Sequence, residues 1–181
     1  MSEIMTYTRK MFDPLRPNQE KIDIADIAHA LSMLCRANGH FPSFYSVAQH
    51  CINCMMEAKA RGYSERLQLA CLLHDASEAY LSDVTRPVKG ELPRYREIEA
   101  PLQEMIWNKW LDAPLTQEER KAVFDIDDAI LAHEFLQLMD TALVDEIPEL
   151  ASAPVFSFAG FSSCELDFLH IFRQLTMRNT V

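Results

Sequence analysis

LACLLHDASEAYLSDVTRPVK, residues 69–89, is the stretch that decides both the fold class and the chemistry of this chain. Its first five residues are apolar or small and predict the buried side of a helix. His74, Asp75 and Glu78 then follow with no turn residue between them. Burying an imidazole or a carboxylate without a partner is costly. These side chains therefore either turn to solvent or share a partner inside the protein.

The composition predicts one folded, helical domain. At 181 residues, with 49% hydrophobic and 24% charged residues, the chain is long and apolar enough to build its own core. Glycine occurs only four times, and apolar residues recur at helical spacing without strand-like alternation. We predict an all-α single domain over residues 1–181, with an extended N-terminal segment over residues 1–20.

Charge and cysteine content limit the partners and the compartment. The formal net charge of -10 at pH 7 argues against a nucleic-acid polymer as partner, because such a partner requires a basic surface. No segment has the roughly 18 apolar residues of a membrane helix, and no apolar core of a secretory signal is evident. Five cysteines in a chain of this size favour a reducing, cytoplasmic compartment. Cys51 and Cys54 form a CxxC pair, but their helical flanks favour ordinary buried thiols.

Apolar periodicity and capping residues predict six helices. Their approximate ranges are residues 22–36, 45–60, 65–81, 94–111, 117–143 and 163–177. Capping signatures precede four of them, at Asp23, at Ser64, at Thr116 with Glu119, and at Ser162 with Glu165. Residues 82–93 contain two prolines and a glycine, and they are predicted to form a loop.

Three of these helices carry metal-capable side chains among apolar residues. On the third predicted helix, His74 and Glu78 are four residues apart and project to one side, with Asp75 about 100° from His74. His50 lies on an apolar face of the second helix, and residues 124–134 (FDIDDAILAHE) place three aspartates beside isoleucines on the fifth. A shared cation would neutralise the carboxylates.

In these segments the sequence resembles the HD-domain metal-dependent phosphohydrolases. The family pattern is a histidine on one helix, a His-Asp doublet on the next and a distant aspartate on a later helix. The segments DIAHALSMLCR, FYSVAQH, LLHDASEAYLSDVTRPVK and DDAILAHE are similar to the YfbR-type 5'-deoxynucleotidases and related short phage and bacterial phosphohydrolases. The distant aspartate matches Asp127 when counted from Glu134, whereas alignment on DDA selects Asp128.

The resemblance implies a helical HD-domain bundle that binds one divalent transition metal ion. Its ligands would be His50, His74, Asp75 and Asp127, a set that suits Co, Mn, Zn, Ni or Fe. Such an ion polarises a phosphoryl oxygen and lowers the pKa of bound water. The resemblance also implies that Glu78 is the general acid or base for the attacking water, beside Asp75 at the catalytic centre.

The resemblance further implies three substrate-binding residues. Asp83 would lie near the sugar, Arg36 would bind phosphate with its planar fork, and Lys89 would be a second phosphate contact. Alternatives remain, because a loop aspartate can cap a turn and an arginine at a helix end can interact with the helix dipole. Arg86 can equally be solvated. Ala37 stands where the YfbR-type enzymes have an aromatic residue, which leaves sugar and base selectivity open.

The expected function is therefore metal-dependent hydrolysis of a nucleotide, with a deoxyribonucleoside 5'-monophosphate as the favoured substrate. The alternatives are a deoxynucleoside triphosphate triphosphohydrolase, for example of dATP, a cyclic-nucleotide or alarmone hydrolase, and a non-catalytic nucleotide-sensing module on the same scaffold. We expect the small-molecule nucleotide to be the partner, with no nucleic-acid polymer and no membrane, and the resemblance suggests a homodimer.

Overall fold

Helices make up most of the fold over residues 3–177, the part of the chain that the computed structural model describes. Their bounds are α1 (Ile24–Met33), α2 (Val47–Ala60), α3 (Glu65–Leu72), α4 (Glu78–Leu81), α5 (Arg86–Gly90), α6 (Pro93–Trp110), α7 (Gln117–Met139) and α8 (Phe161–Met177). Two short 3-10 helices cover Gln19–Lys21 and Arg36–Gly39. The prediction of an all-α fold is confirmed. The predicted domain range extends beyond the described residues at both ends.

The N-terminal segment, which we predicted to be extended, contains a short β-hairpin. Strand β1 (Ile4–Met5) pairs antiparallel with β2 (Met11–Phe12), and the hairpin lies against α1, where Asp26 accepts hydrogen bonds from the Thr8 backbone and hydroxyl. Phe12 is fully buried and stacks on Tyr80 of α4. A two-residue strand pair is stable only when packed against other structure, which is why local alternation did not predict it.

Helix α2 lies at the centre of the fold, packed against α1, α3, α7 and α8. A single hydrophobic cluster runs between these helices and includes Leu31, Ala48, Leu72, Ile126 and Phe168. Side chains on α2 are therefore buried on several sides, and the polar ones among them need partners inside the protein. No helix within residues 3–177 combines the length and the apolar character required to cross a membrane.

Local capping residues start the helices at the predicted places, with one exception. Asp23 accepts a hydrogen bond from Ala25 N, Ser64 accepts one from Leu67 N, and Thr116 forms a capping box with Glu119. Each such cap contributes about 1 kcal/mol to helix stability. The prediction that Ser162 caps the last helix is wrong, because α8 begins at Phe161 and includes Ser162.

The predicted helix over residues 65–81 is broken, and this is the main correction to the sequence analysis. Helix α3 ends at Leu72, residues 73–77 form tight turns, and α4 begins at Glu78. Gln103 of α6 bonds buried backbone groups of this turn, because its amide donates to Leu73 O at 2.8 Å and its oxygen accepts from Ser77 N at 3.0 Å. A partner 26 to 30 residues away along the chain is invisible to local periodicity.

Other boundaries also differ from the prediction. Helix α1 ends at Met33 instead of residue 36, and α2 begins at Val47 instead of residue 45. The predicted loop over residues 82–93 contains α5, which begins with Arg86 and Pro87 at positions where a missing N–H is tolerated. Helix α7 ends four residues earlier than expected, where Asp140 takes a left-handed conformation with φ 50°.

The segment over residues 141–160 has no regular structure and is anchored to polar side chains of α2. Glu57 accepts hydrogen bonds from Ala151 N and Ser152 N, both at 2.9 Å, and from the Ser152 hydroxyl. One turn earlier, Asn53 bonds both the N–H and the C=O of Val155. Two polar side chains of α2 thus form hydrogen bonds with backbone groups of a segment that is distant in the sequence.

We predict that Glu57→Gln lowers the free energy of unfolding by about 1–3 kcal/mol at pH 7, because an amide leaves two backbone N–H donors with a poorer acceptor. Burial would raise the pKa of Glu57, but its bonds from Ser152, Ala151 and Arg61 lower it below the ordinary value. This stabilisation is present above the ordinary glutamate pKa and is lost as pH falls.

Chemical denaturation of wild type and variant should therefore show a deficit that shrinks as the pH falls below about 4. Glu149→Gln, an exposed change in the same segment, should alter stability by less than about 0.5 kcal/mol. Equal effects of the two substitutions would contradict the anchoring role of Glu57.

Candidate metal centre

Four side chains that we predict as metal ligands lie around one point. His50 Nε2 is 3.0 Å from Asp127 Oδ1 and 3.2 Å from His74 Nε2. Asp75 Oδ2 is 3.3 Å from His74 Nε2 and 3.8 Å from His50 Nε2. Bonds of about 2.0–2.2 Å place neighbouring ligands of one metal ion roughly 3–3.5 Å apart. The buried histidine and aspartate groups can therefore hold a metal ion, and the ligand role of each residue stays a prediction.

The fold brings these residues together from three places. His50 projects from the buried side of α2, and Asp127 from α7. His74 and Asp75 lie in the turn between α3 and α4, so the broken helix aims both of them at the same point without the rotation that a continuous helix imposes. The family resemblance named these residues as candidate ligands, and the turn explains how the adjacent His74 and Asp75 can face the same point.

Both imidazole rings are oriented by a contact on the side away from the centre. His50 Nδ1 lies 2.5 Å from Glu134 Oε1, and His74 Nδ1 lies 2.8 Å from Cys71 O. A hydrogen on each Nδ1 leaves the Nε2 lone pair directed to the centre, as in metal-binding histidines.

The carboxylates of the centre control the protonation of the histidines. Burial alone would lower the pKa of His74, but Asp75 and the hydrogen bond with Asp127 raise it well above its ordinary value. Burial and Arg36 would lower the pKa of His50. Cys54, Glu134 and Asp127 act in the opposite direction, and the pKa is raised well above its ordinary value. A proton and a metal cation compete for the same nitrogen lone pairs, so metal binding here would release protons.

Asp127 lies at the centre, whereas Asp128 does not. The Asp127 side chain is 13% exposed and faces His50, while that of Asp128 is 59% exposed and contacts Arg86 Nη1 at 2.5 Å. Arg86 also contacts Asp127 Oδ2 at 2.6 Å through Nη2. The guanidinium of Arg86 therefore bridges the two aspartates at the edge of the centre instead of pointing freely into solvent.

Glu134 is a site residue that the sequence analysis missed. Its side chain is fully buried, with Oε2 3.1 Å from Arg36 Nη2 and Oε1 on His50. Burial would raise its pKa, but Arg36 and His50 lower it. The available signal was its position seven residues after Asp127 on the same predicted helix, which places both carboxylates on one helical face.

Arg36 is held beside the centre by two carboxylates. Its residue exposure is 8%, and Nη1 lies 3.3 Å from Asp75 Oδ2. The next two residues, Ala37 and Asn38, both have φ near 50°, a left-handed conformation that turns the chain sharply after Arg36. Arg36 thus lies where an anion bound at the centre would meet it, and its role as a phosphate contact stays a prediction.

Glu78 and its neighbours form the other side of the centre. Glu78 is 3% exposed, its Oε1 lies 3.6 Å from Lys89 Nζ, and its buried Oε2 makes no hydrogen bond with the described residues. Burial raises its pKa well above the ordinary value, Asp75 and Asp83 add to this effect, and Lys89 offsets it in part. Asp83 is itself half-buried with a raised pKa, chiefly because of burial.

The two cysteines of the CxxC pair are buried, as we expected. Cys54 also lies against the centre, since its Sγ is 3.5 Å from His50 Nε2. It joins His50, His74 and Asp127 in one group of potential ligands, while Cys51 groups with His74 and Asp75. The spacing of the pair in the sequence gave no indication of this contact.

Comparison with known proteins finds relatives without an assigned function. No family model matches the chain. It is 38% identical over 110 residues, 61% of this chain, to the uncharacterized protein YfdR of Escherichia coli (strain K12), covering 59% of that protein. It is 42% identical over 88 residues, 46% of this chain, to an uncharacterized protein of Rhodobacter capsulatus, covering 44% of it. The helical fold and the buried cluster are compatible with an HD-like metal site.

We predict that Glu134→Gln weakens metal binding about 10- to 100-fold, because the ring of His50 loses the carboxylate that fixes its orientation. Competition titration with a chelator measures this affinity. Asp125→Asn, an exposed change on the same helix whose carboxylate pairs with Lys121, is the matched control and should leave the affinity unchanged. Unaltered metal affinity in a folded Glu134→Gln variant would show that His50 needs no such support.

Proposed function

We propose that this protein is an HD-type, metal-dependent phosphohydrolase that removes phosphate from a small nucleotide, with a deoxyribonucleoside 5'-monophosphate as the favoured substrate. The observation that carries the proposal is the meeting of His50, His74, Asp75 and Asp127 within ligand distances. Beside them, the buried Oε2 of Glu78 has no hydrogen-bond partner among the described residues. The HD assignment, the catalytic activity, the homodimer and the cytoplasmic location remain proposals.

The donor set fits a divalent transition metal ion. Two imidazole nitrogens and two carboxylate oxygens are the ligands that Mn, Fe, Co, Ni and Zn accept in proteins. A bound ion would polarise a phosphoryl oxygen and lower the pKa of water. The ion would also neutralise the carboxylates of Asp75 and Asp127, whose side chains are mostly removed from solvent.

Glu78 is suited to hold or move a proton for the attacking water. Its unpartnered Oε2 is an acceptor or donor site that a water or substrate oxygen can use. Burial and neighbouring carboxylates raise the pKa of Glu78 well above its ordinary value, a shift that is common among carboxyl groups acting as a general acid or base. The supporting geometry differs from our first expectation, because Glu78 begins α4 after the turn instead of following His74 on one helix.

Three cations surround the centre and support phosphate as the group that is bound. Arg36 contacts Asp75, Arg86 contacts Asp127, and Lys89 lies 3.6 Å from Glu78. Each of these cations contacts a carboxylate of the centre. An incoming phosphate would bring negative charge to the same place, and the cations could turn from the carboxylates to bind it. Lys89 also contacts Glu99 of α6 at 2.7 Å, which holds its ammonium between Glu99 and Glu78.

A nucleotide panel tests the function directly. We expect deoxyribonucleoside 5'-monophosphates to release inorganic phosphate when Mn, Co, Ni, Fe or Zn is added to metal-free protein, and no release with a chelator. Chromatography of the products of a deoxynucleoside triphosphate distinguishes phosphate from triphosphate. Metal binding and nucleotide binding without turnover on any substrate would contradict hydrolysis and indicate a sensing module.

We predict that Glu78→Gln lowers turnover about 10²- to 10⁴-fold with metal content retained, the usual contribution of a positioned acid or base. His74→Ala should lose metal and activity together. Elemental analysis and steady-state kinetics measure the two quantities. Glu97→Gln, an exposed change on α6, serves as control. Full turnover in Glu78→Gln would remove Glu78 from the mechanism, and loss of metal would make it a ligand.

A further inference from the structure

We propose that Cys54 is a sulfur ligand of the candidate metal centre, so that the centre prefers a thiophilic ion such as zinc or cobalt over a hard ion such as magnesium. This inference rests on the metal site of the proposed function and adds a residue that the HD pattern in the sequence does not contain. It also replaces our expectation that Cys54 is an ordinary buried thiol.

The interatomic distances match a coordination sphere that includes sulfur. Metal–nitrogen bonds of about 2.0 Å and metal–sulfur bonds of about 2.3 Å, set at tetrahedral angles, place two nitrogens about 3.3 Å apart and a nitrogen and a sulfur about 3.5 Å apart. From His50 Nε2, the structure has His74 Nε2 at 3.2 Å and Cys54 Sγ at 3.5 Å. The ligand atoms of these residues and of Asp127 all lie within 4.8 Å of one another.

The helix explains why this sulfur faces the centre. Cys54 follows His50 by four residues on α2, so the two side chains lie on one face, as paired ligands of helical zinc sites do. Its sulfur contacts Nε2, the nitrogen directed to the centre, and not Nδ1, which is paired with Glu134. With 1% of Cys54 exposed, packing leaves its side chain little freedom to turn elsewhere.

Cys54 and Asp75 differ in their exposure to solvent. Cys54 is 1% exposed, whereas the Asp75 side chain is 19% exposed and contacts Arg36. Ligands from His50, Cys54, His74 and Asp127 would close the inner side, and Asp75 would lie where substrate approaches. Thiolate donors favour zinc and related ions, whereas carboxylate and water ligands suit magnesium and manganese.

Cobalt spectroscopy of the full chain tests this assignment. We expect metal-free wild type to bind about one equivalent of Co²⁺ per chain and to show a sulfur-to-cobalt charge-transfer band in the near ultraviolet. Cys54→Ser and Cys54→Ala should lose the band. Cys54→Ser should also lose at least about tenfold in zinc affinity relative to manganese affinity.

Cys164→Ser is the matched control, since Cys164 is a buried cysteine of α8 that belongs to neither group of potential ligands in the described chain. It should keep the band. A band that survives in folded Cys54 variants, or that disappears only in Cys51→Ser, overturns the proposal while leaving the metal site intact. Failure of wild type to bind Co²⁺, Zn²⁺ or Mn²⁺ overturns both this proposal and the metal-dependent function.

Discussion

The contact between His50 and Glu134 is the interaction on which the centre depends. Both residues are fully buried. Their contact, 2.5 Å between His50 Nδ1 and Glu134 Oε1, joins the central helix α2 to α7. Removing one partner from such a pair leaves a buried charge without compensation, which typically costs about 3–5 kcal/mol. Arg36 completes the arrangement by neutralising Glu134 from the other side. The orientation of one imidazole, the packing of two helices and the position of a cation are thus fixed by the same carboxylate.

Capping residues and apolar periodicity predicted those structural features that depend on residues close together in the sequence. Asp23, Ser64 and Thr116 cap helices where the sequence placed them, because a cap contacts backbone groups two or three residues away. The break after Leu72 depends on Gln103, a side chain from another helix, and periodicity alone could not predict it. The contacts of Glu134 with His50 and Arg36 are likewise tertiary, so the sequence showed this residue without its partners. Cys54 differs, because its four-residue spacing from His50 on one helix was a local signal that the sequence analysis did not use.

The break between α3 and α4 makes the candidate metal centre depend on α6. Because Gln103 bonds both ends of the turn, α6 supports the backbone that carries His74 and Asp75. The same helix carries Glu99, which contacts Lys89 beside Glu78. One helix that supplies none of the predicted ligands therefore supports both the ligand-bearing turn and a cation near the predicted acid or base. Precision at such a centre requires support from residues that never touch the ion.

Two sets of buried side chains on α2 restrict where residues can be inserted into or deleted from the chain. His50 and Cys54 face the centre, while Asn53 and Glu57 hold the irregular segment that crosses this helix. One inserted or deleted residue in α2 would rotate the following positions by about 100° and separate the two sets from their partners. Homologous sequences should therefore keep the length of α2 invariant. Insertions should instead accumulate around residues 141–146, which are exposed.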